Sequence, residues 1–281
     1  AAVASQNERI GSPVPMPVTE SLRAIVGTSN VRIADTAGTV DQDAAIIVLP
    51  ASTDEVAAVV RVCRQHEISV VPLGGGTGLV GGSISHIGEI VLSTARMNRI
   101  ERLDPVERTA VVDAGVTLEE LQTTARAHGL EPGIDLAARG SATIGGMVST
   151  NAGGMMAFRN GVMRHRVLGL EAVMADGSVY CDLTRVVKNS AGYDLKHLFI
   201  GAEGTLGIVT RVVVKLDPLP KANAIALFGL PSVEAALETI RMAFQSSVGH
   251  LRAAEAMWNS YFRLAASAHV LPPPKPRRAR P

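Results

Sequence analysis

Three observations make this sequence read as a mixed fold of helices and sheets. A capped amphipathic helix sits between two short β-branched runs in the first third of the chain. Hairpin signals and a long β-branched strand follow further on. The 27 glycines are clustered in the loops between these elements rather than spread. Glycine in clusters signals backbone held close to something, or backbone at positive φ.

The elements follow in order. Residues 1–18 carry Pro13, Pro15 and Pro17 with little periodicity and are expected to form a loose arm. Thr19 to Val26 reads as a short helix stopped by Gly27. Ala44 to Leu49 is a continuous apolar run of strand length ended by Pro50. Ser52-Thr53-Asp54-Glu55 is a capping-box pattern, and Val56, Val59, Val60 and Cys63 follow at helical spacing. Ile68 to Val71 reads as a second strand, closed by Pro72. Glu89 to Ser93 and Thr109 to Ala114 read as strands flanking a charged turn at Asp104-Pro105. Thr117 to Glu120 is a second capping box, opening a helix with Leu118, Leu121 and Ala125 that stops at Gly129. Leu170 to Met174 and Val179 to Asp182 flank Asp176-Gly177, a hairpin signal. Thr205 to Leu216 reads as a long strand, and Asp217-Pro218-Leu219-Pro220 ends it. Beyond it come an expected strand at Ile225 to Phe228, a helix capped by Ser232, a helix over Glu255 to Ala268, and a Pro/Arg tail. This gives an arm with a short helix at 1–40, a main domain at 41–218, a strand-helix unit at 219–270 and a disordered tail at 271–281.

Composition bounds the function. With 47% hydrophobic and 19% charged residues there is ample material for a core, which excludes a disordered chain. A net charge of +1 and nine aromatic residues argue against nucleic acid as a partner. No stretch approaches the roughly 18–20 apolar residues of a membrane span. Cys63 and Cys181 stand too far apart in the chain for a disulfide framework or a zinc site, so a reducing compartment is expected, and the start reads as no secretory signal. A cytoplasmic location is the natural expectation.

The segment Leu73-Gly74-Gly75-Gly76-Thr77-Gly78-Leu79-Val80-Gly81-Gly82-Ser83 is the most informative. Successive amides with no Cβ in the way can converge on a phosphate oxygen. A simple turn needs one or two glycines, and each further one costs about 0.5–1 kcal/mol where it sits in regular structure. Gly76, Gly78 and Gly81 fit a dinucleotide fingerprint, but the stretch after Gly81 is a poor helix, so that reading fails on context. A P-loop fails too, because no Gly-Lys-Ser/Thr ends the run. A second cluster, Arg139 to Gly154, mixes glycines and hydroxyls with apolar side chains. It suits a flat ligand approached by main chain, or tight helix packing. A third runs from Lys188 to Thr210 through Gly192, Gly201, Gly204 and Gly207.

At these segments the chain resembles the flavin-binding domain of the vanillyl-alcohol oxidase/p-cresol methylhydroxylase (PCMH) superfamily. The branch it resembles holds glycolate oxidase flavoprotein subunits, D-lactate dehydrogenases and D-2-hydroxyglutarate dehydrogenases. The resemblance is carried by Pro72 to Leu79, by Thr143-Ile144-Gly145-Gly146 with Thr150 to Gly154, and by Gly192 to Leu195 with Gly201 to Thr210. It implies an α+β, two-subdomain PCMH-type FAD-binding domain followed by a truncated α/β cap domain. It implies that Gly74, Gly75, Gly76, Thr77, Gly78, Leu79 and Gly81 hold the FAD pyrophosphate. Ser141, Thr143, Gly145, Gly146, Asn151 and Ala152 would line the flavin and ribityl chain, and Ile208 would meet the adenine through its backbone. Residues 72–83 contain no His, so non-covalent FAD is expected.

The implied activity is oxidation of a D-2-hydroxy acid, of the D-lactate, D-2-hydroxyglutarate or glycolate class, by hydride transfer to flavin N5. The electron acceptor stays open. The cap of this branch carries a His-x-Gly-Asp-Gly-Asn-x-His run, and the sequence has none. No catalytic residue and no metal ligand is therefore assigned. The alternative is a catalytically incomplete FAD-binding fragment or subunit that needs a partner chain. Other chemistries on the same fold, such as an ether-lipid synthase or a cell-wall precursor reductase, stay open, as does self-association through the exposed start of the cap.

Overall fold

The computed structural model describes residues 14–33, 46–246 and 251–268. Most of the expected arm and the whole Pro/Arg tail lie outside the described residues, as do Ala44 and Ala45 of the first expected strand.

The first helix, α1 (Met16–Val26), begins three residues earlier than expected. Pro17 sits in its first turn, where a proline is tolerated because the missing N–H has no intrahelical partner. Val18, Leu22 and Val26 recur at four-residue spacing and are buried, and Gly27 at φ 89° ends the helix. After it come β1 (Val31–Ile33), β2 (Ile46–Val48), α2 (Thr53–Gln65), β3 (Val70–Leu73) and β4 (Ile90–Ser93). These strands form a sheet in the order β1-β2-β4-β3, with β4 parallel to both β2 and β3. The expected strand-helix-strand order is present, but β4 is inserted between its two strands. All four residues of β4 are buried, which suits a central position. Pro72 lies inside β3 rather than closing it. An edge strand has one side free of ladder bonds and so accommodates proline. Val56, Ala57, Val59, Val60 and Cys63 of α2 pack with α1 against this sheet.

The second sheet is antiparallel throughout, in the order β5 (Ile100–Asp104), β6 (Thr109–Asp113), β10 (Ile208–Lys215), β8 (Val167–Val173), β9 (Val179–Asp182). The expected long strand is its central member β10. The Asp176-Gly177 turn joins β8 to β9 as expected. The Asp104-Pro105 turn, however, joins β6 to β5 and not to the strand at 89–93. Ile100-Glu101-Arg102-Leu103-Asp104 is a half-exposed, charged edge strand, so it carries little apolar signal. Two helices cover one face: α3 (Leu118–Arg126), with a complete Thr117/Glu120 capping box, and α4 (Ile144–Ser149). Leu118, Leu121, Ile144, Met147 and Val148 pack there against Val112, Leu170 and Val212.

The two subdomains meet along α2 and β8. Val173 and Ile208 of the second sheet belong to the core of the first. Across the same seam the Thr53 hydroxyl donates to Glu171 at 2.5 Å, and Arg61 donates to the Gly177 carbonyl at 2.7 Å. Between α3 and α4, β7 (Leu130–Glu131) pairs with β11 (Asp217–Pro218), which returns the chain to the surface. Two short helices, α5 (Ala157–Asn160) and α6 (Lys196–Phe199), stand earlier in the chain, and beyond β11 lie α7 (Val233–Ser246), whose first turn is capped by Ser232, and α8 (Asn259–Ala268). The strand expected at Ile225 to Phe228 is not formed. Ile225 is 99% exposed, and no strand edge among the described residues reaches it. The last helix starts at Asn259 rather than Glu255.

Candidate functional site

The glycine loop leaves the edge strand β3 and runs between the two subdomains. One wall is the segment leading into α4. A Cβ on Gly74 would lie 2.5 Å from Thr143 Oγ1, and one on Gly75 would overlap the Ser141 carbonyl. The opposite wall is the turn between the short helix α6 (Lys196–Phe199) and β10. There a Cβ on Gly82 would meet Glu203 at 3.0 Å, and one on Gly204 would meet Pro72 at 2.9 Å. The two walls are joined by Gly201 N–H donating to Val148 O and Glu203 N–H to Ser149 O, at 3.1 and 2.8 Å. The three segments singled out in the sequence therefore converge on one place.

What the loop offers a ligand is main chain. Among the described residues, no backbone hydrogen bond is donated by the amides of residues 75–83. A Cβ on Gly76 or Gly78 would find nothing within 4 Å, so this side of the loop is open. Leu79 and Val80 stand in solvent at its rim, 99% and 77% exposed. An unpaired run of amides is unusual in a folded chain and is what an anion nest requires.

The wall at α4 differs from the loop. The Gly145 amide is used on Ala114 O at 2.8 Å, the Ala152 amide on Met147 O at 2.9 Å, and the Gly146 amide on the Thr143 hydroxyl at 3.3 Å. This wall can offer the Ser141 and Thr143 O–H groups, the Asn151 carboxamide and its carbonyls. Asn151 sits at φ 51°, a left-handed conformation that asparagine tolerates better than most residues. Its Oδ1 accepts from the Arg164 amide at 2.9 Å, which leaves its NH2 as the group to meet a ligand. Ile208 opens β10 opposite Val173 with its side chain buried, so only its main chain is available.

Sequence reasoning missed two polar arrangements here. Arg164 reaches the Ile200 carbonyl at 2.5 Å and the His197 carbonyl at 3.1 Å, and nothing in the pattern of residues around it signals this. Burial and the neighbouring Lys196 and Arg164 push the His197 imidazole below its ordinary value, against the pull of Asp194. Glu171, buried at the seam, is the other. Burial raises its carboxyl, but hydrogen bonds from Arg211, Thr53 and Thr210 outweigh that and hold it down at about 2. Glu171 lines a cavity of about 410 Å³ with Thr53, Arg99, Asp113 and Arg211, separate from the glycine loop.

A family profile described as an FAD-binding domain matches residues 44–181. The carrying segments and the two-sheet architecture agree with it. Over residues 44–181 the chain matches an FAD-binding domain, and its fold is of the vanillyl-alcohol oxidase/p-cresol methylhydroxylase type. In sequence the chain is similar to the mitochondrial D-2-hydroxyglutarate dehydrogenase of Bos taurus, 44% identical over 72% of this chain and 37% of that protein. A D-2-hydroxyglutarate dehydrogenase of Xanthomonas citri pv. viticola is 43% identical over 80% of this chain and 46% of that protein. The chain thus spans less than half the length of these relatives. Among solved structures, an alkyldihydroxyacetonephosphate synthase matches with TM-score 0.66 and 25% identity, over 77% of this chain and 43% of that one. A p-cresol methylhydroxylase matches with TM-score 0.63 and 22% identity, over 74% and 45%, which shows the fold alone.

These relatives correct the cytoplasmic expectation. Those from Bos taurus, Rattus norvegicus and Danio rerio are named mitochondrial. The expectation rests on two unpaired cysteines, and cysteine count does not distinguish one compartment from another that keeps thiols reduced.

Proposed function

We propose that this chain is the flavin-binding part of an FAD-dependent oxidoreductase that oxidises a D-2-hydroxy acid, with D-2-hydroxyglutarate foremost in the class that includes D-lactate and glycolate. The observation that carries the reading is the run of undonated amides at 75–83, open on one side and backed by Ser141 and Thr143 on the other. The names of the relatives support the substrate class.

In this reading the amides of Gly74 to Leu79 and of Gly81 hold the diphosphate without a covalent link. No charged side chain is needed there, because converging N–H dipoles suit a dianion spread over several oxygens. The Ser141 and Thr143 hydroxyls and the Asn151 NH2 hydrogen-bond the ribityl chain and the flavin edge. Gly145, Gly146 and Ala152 shape the wall by being small, since their amides are spent inside the protein. The main chain of Ile208 meets the adenine. When bound, FAD supplies a two-electron acceptor. The protein's part is to orient it and to exclude water from the wall.

The test is reconstitution. Purified protein incubated with FAD and desalted is expected to retain a flavin absorption band at about 450 nm. Anaerobic addition of D-2-hydroxyglutarate, D-lactate or glycolate, each in turn, then reads whether the bound flavin bleaches. A protein that stays colourless after refolding with FAD overturns the reading. Stoichiometric FAD without bleaching by any of the three acids assigns the chain to binding and not to turnover.

A further inference from the structure

We propose that Arg164 is a positioning residue of the flavin site, locking the Asn151 wall to the Ile200–Gly201 turn and fixing the His197 ring in one tautomer. This rests on the FAD-binding reading above and adds to it a residue outside all three glycine segments.

Arg164 touches both walls at once. Its main-chain N–H donates to Asn151 Oδ1 at 2.9 Å, and the preceding amide, Met163 N–H, donates to Ala152 O at 2.8 Å. Residues 163–164 thus hold the pair 151–152 by two bonds, one of them to the side chain of the left-handed Asn151. The guanidinium reaches the other way. It donates to Ile200 O at 2.5 Å and to His197 O at 3.1 Å, next to Gly201 and Glu203, whose amides bond to Val148 and Ser149. A single residue closes a ring from Asn151 through the α6 turn and back to α4, its main chain on Asn151 and its guanidinium on the turn.

The same guanidinium nitrogen lies 3.1 Å from His197 Nδ1. Arginine has donors and no acceptor, so Nδ1 must present its lone pair and the ring proton must sit on Nε2. That nitrogen is 3.3 Å from Asp194 Oδ2, and Lys196 Nζ is 2.6 Å from both Asp194 oxygens. The donors run in one sense from Arg164 through His197 to Asp194, where Lys196 meets them.

The contrast with Arg166, two residues on, separates this role from support of the fold alone. Arg166 is 4% exposed, donates to the carbonyls of Pro132 and Lys215, and pairs with Asp217 at 2.8 Å. It pins β8 to β11 and touches neither flavin wall. Among the described residues Arg164 has no carboxylate partner, and its guanidinium contacts are all on the segment 197–200.

The experiment compares Arg164→Met, Arg164→Lys and Arg166→Met with the wild-type chain. It measures FAD titration, visible circular dichroism of bound FAD, melting temperature of the FAD-free protein, and ring ¹⁵N shifts of His197. Arg164→Met is expected to bind FAD at least about tenfold more weakly, to change the visible dichroism, and to lose the single Nε2–H tautomer. Arg164→Lys, which can reach one carbonyl but lacks the fork, is expected to recover part of the affinity. Arg166→Met is expected to melt lower with dichroism and tautomer unchanged. A folded Arg164→Met with wild-type affinity and dichroism overturns the proposal. If that variant does not fold, a wild-type His197 carrying its proton on Nδ1 overturns it instead. A wild-type chain that shows the Nε2–H tautomer but binds no FAD defeats the flavin reading while leaving the Arg164–His197 geometry standing.

Discussion

Gly75 and Gly78 lie three positions apart in one loop and are constrained in different ways. A Cβ on Gly75 collides with the Ser141 carbonyl, so Gly75→Ala must push the loop off its wall. FAD affinity is expected to fall more than about a hundredfold, with a lower melting temperature, as for other overpacked sites. A Cβ on Gly78 meets no atom and the residue is not at positive φ. Gly78→Ala is expected to hold or slightly raise the stability of the FAD-free chain, since alanine restricts the unfolded state. FAD affinity is expected to fall about tenfold because the methyl enters the open side of the nest. Fluorescence titration with thermal melts checks both, and unchanged affinity in Gly78→Ala would place the diphosphate elsewhere along the loop. The two cysteines give a second contrast. Cys63 is buried under α2 and burial pushes its thiol up to about 12, whereas Cys181 is exposed on β9. A thiol reagent is therefore expected to modify one cysteine per native chain and two after denaturation.

At the scale of elements, the seam between α2 and β8 predicts a pH dependence. Glu171 has an ordinary carboxyl value of 4.5 and is held at about 2 in the folded chain. Its contribution is fully present above 4.5 and is lost as the pH falls from there towards 2, because the unfolded chain takes up the proton first. The amount is on the order of 3 kcal/mol. Melts of wild type and Glu171→Gln between neutral and low pH are expected to differ most near neutrality and to converge in acid. Parallel curves would show that Glu171 does not link the subdomains. None of this seam was legible in the sequence, because Thr53, Glu171 and Arg211 are brought together only by the pairing of β8 with β10 and the docking of α2. What could be read were the local signals. The Thr117 box is complete, while in the first box Ser52 accepts from Glu55 N–H and Glu55 reaches past it to the Ala51 amide. Asp176-Gly177 makes its hairpin, and the three glycine segments meet. The failures were pairings without local cause: β4 entering between β2 and β3, and the charged β5 hidden by its polar residues. Ile225 to Phe228 had the residues of a strand but no edge to join.

The whole molecule divides unequally. Up to Pro218 the chain carries two cores with the glycine loop running between them, whereas α7 contributes no buried residue. Among the described residues, the contacts of the C-terminal stretch with the rest include Arg252 with Glu131 at 2.5 Å and with Met156 Sδ at 3.3 Å, and Phe158 edge-on to Phe244 at 6.2 Å. One ion pair and one ring contact are worth about 1–2 kcal/mol together. Against this, Ile225, Leu227, Phe228, Leu237, Trp258 and Leu264 are all at least 60% exposed. Apolar surface of that extent favours association over solvation. A chain ended after Pro220 is therefore expected to keep its FAD affinity and to melt within a few degrees of the longer one, since neither core loses a residue. Light scattering is expected to show the longer chain associating as concentration rises and the shorter one remaining a monomer. A shortened chain that melts far lower, or still associates, would mean that 219–268 supports the flavin domain and that the sticky surface lies elsewhere, with the exposed Leu79 and Val80 of the glycine loop the next place to look.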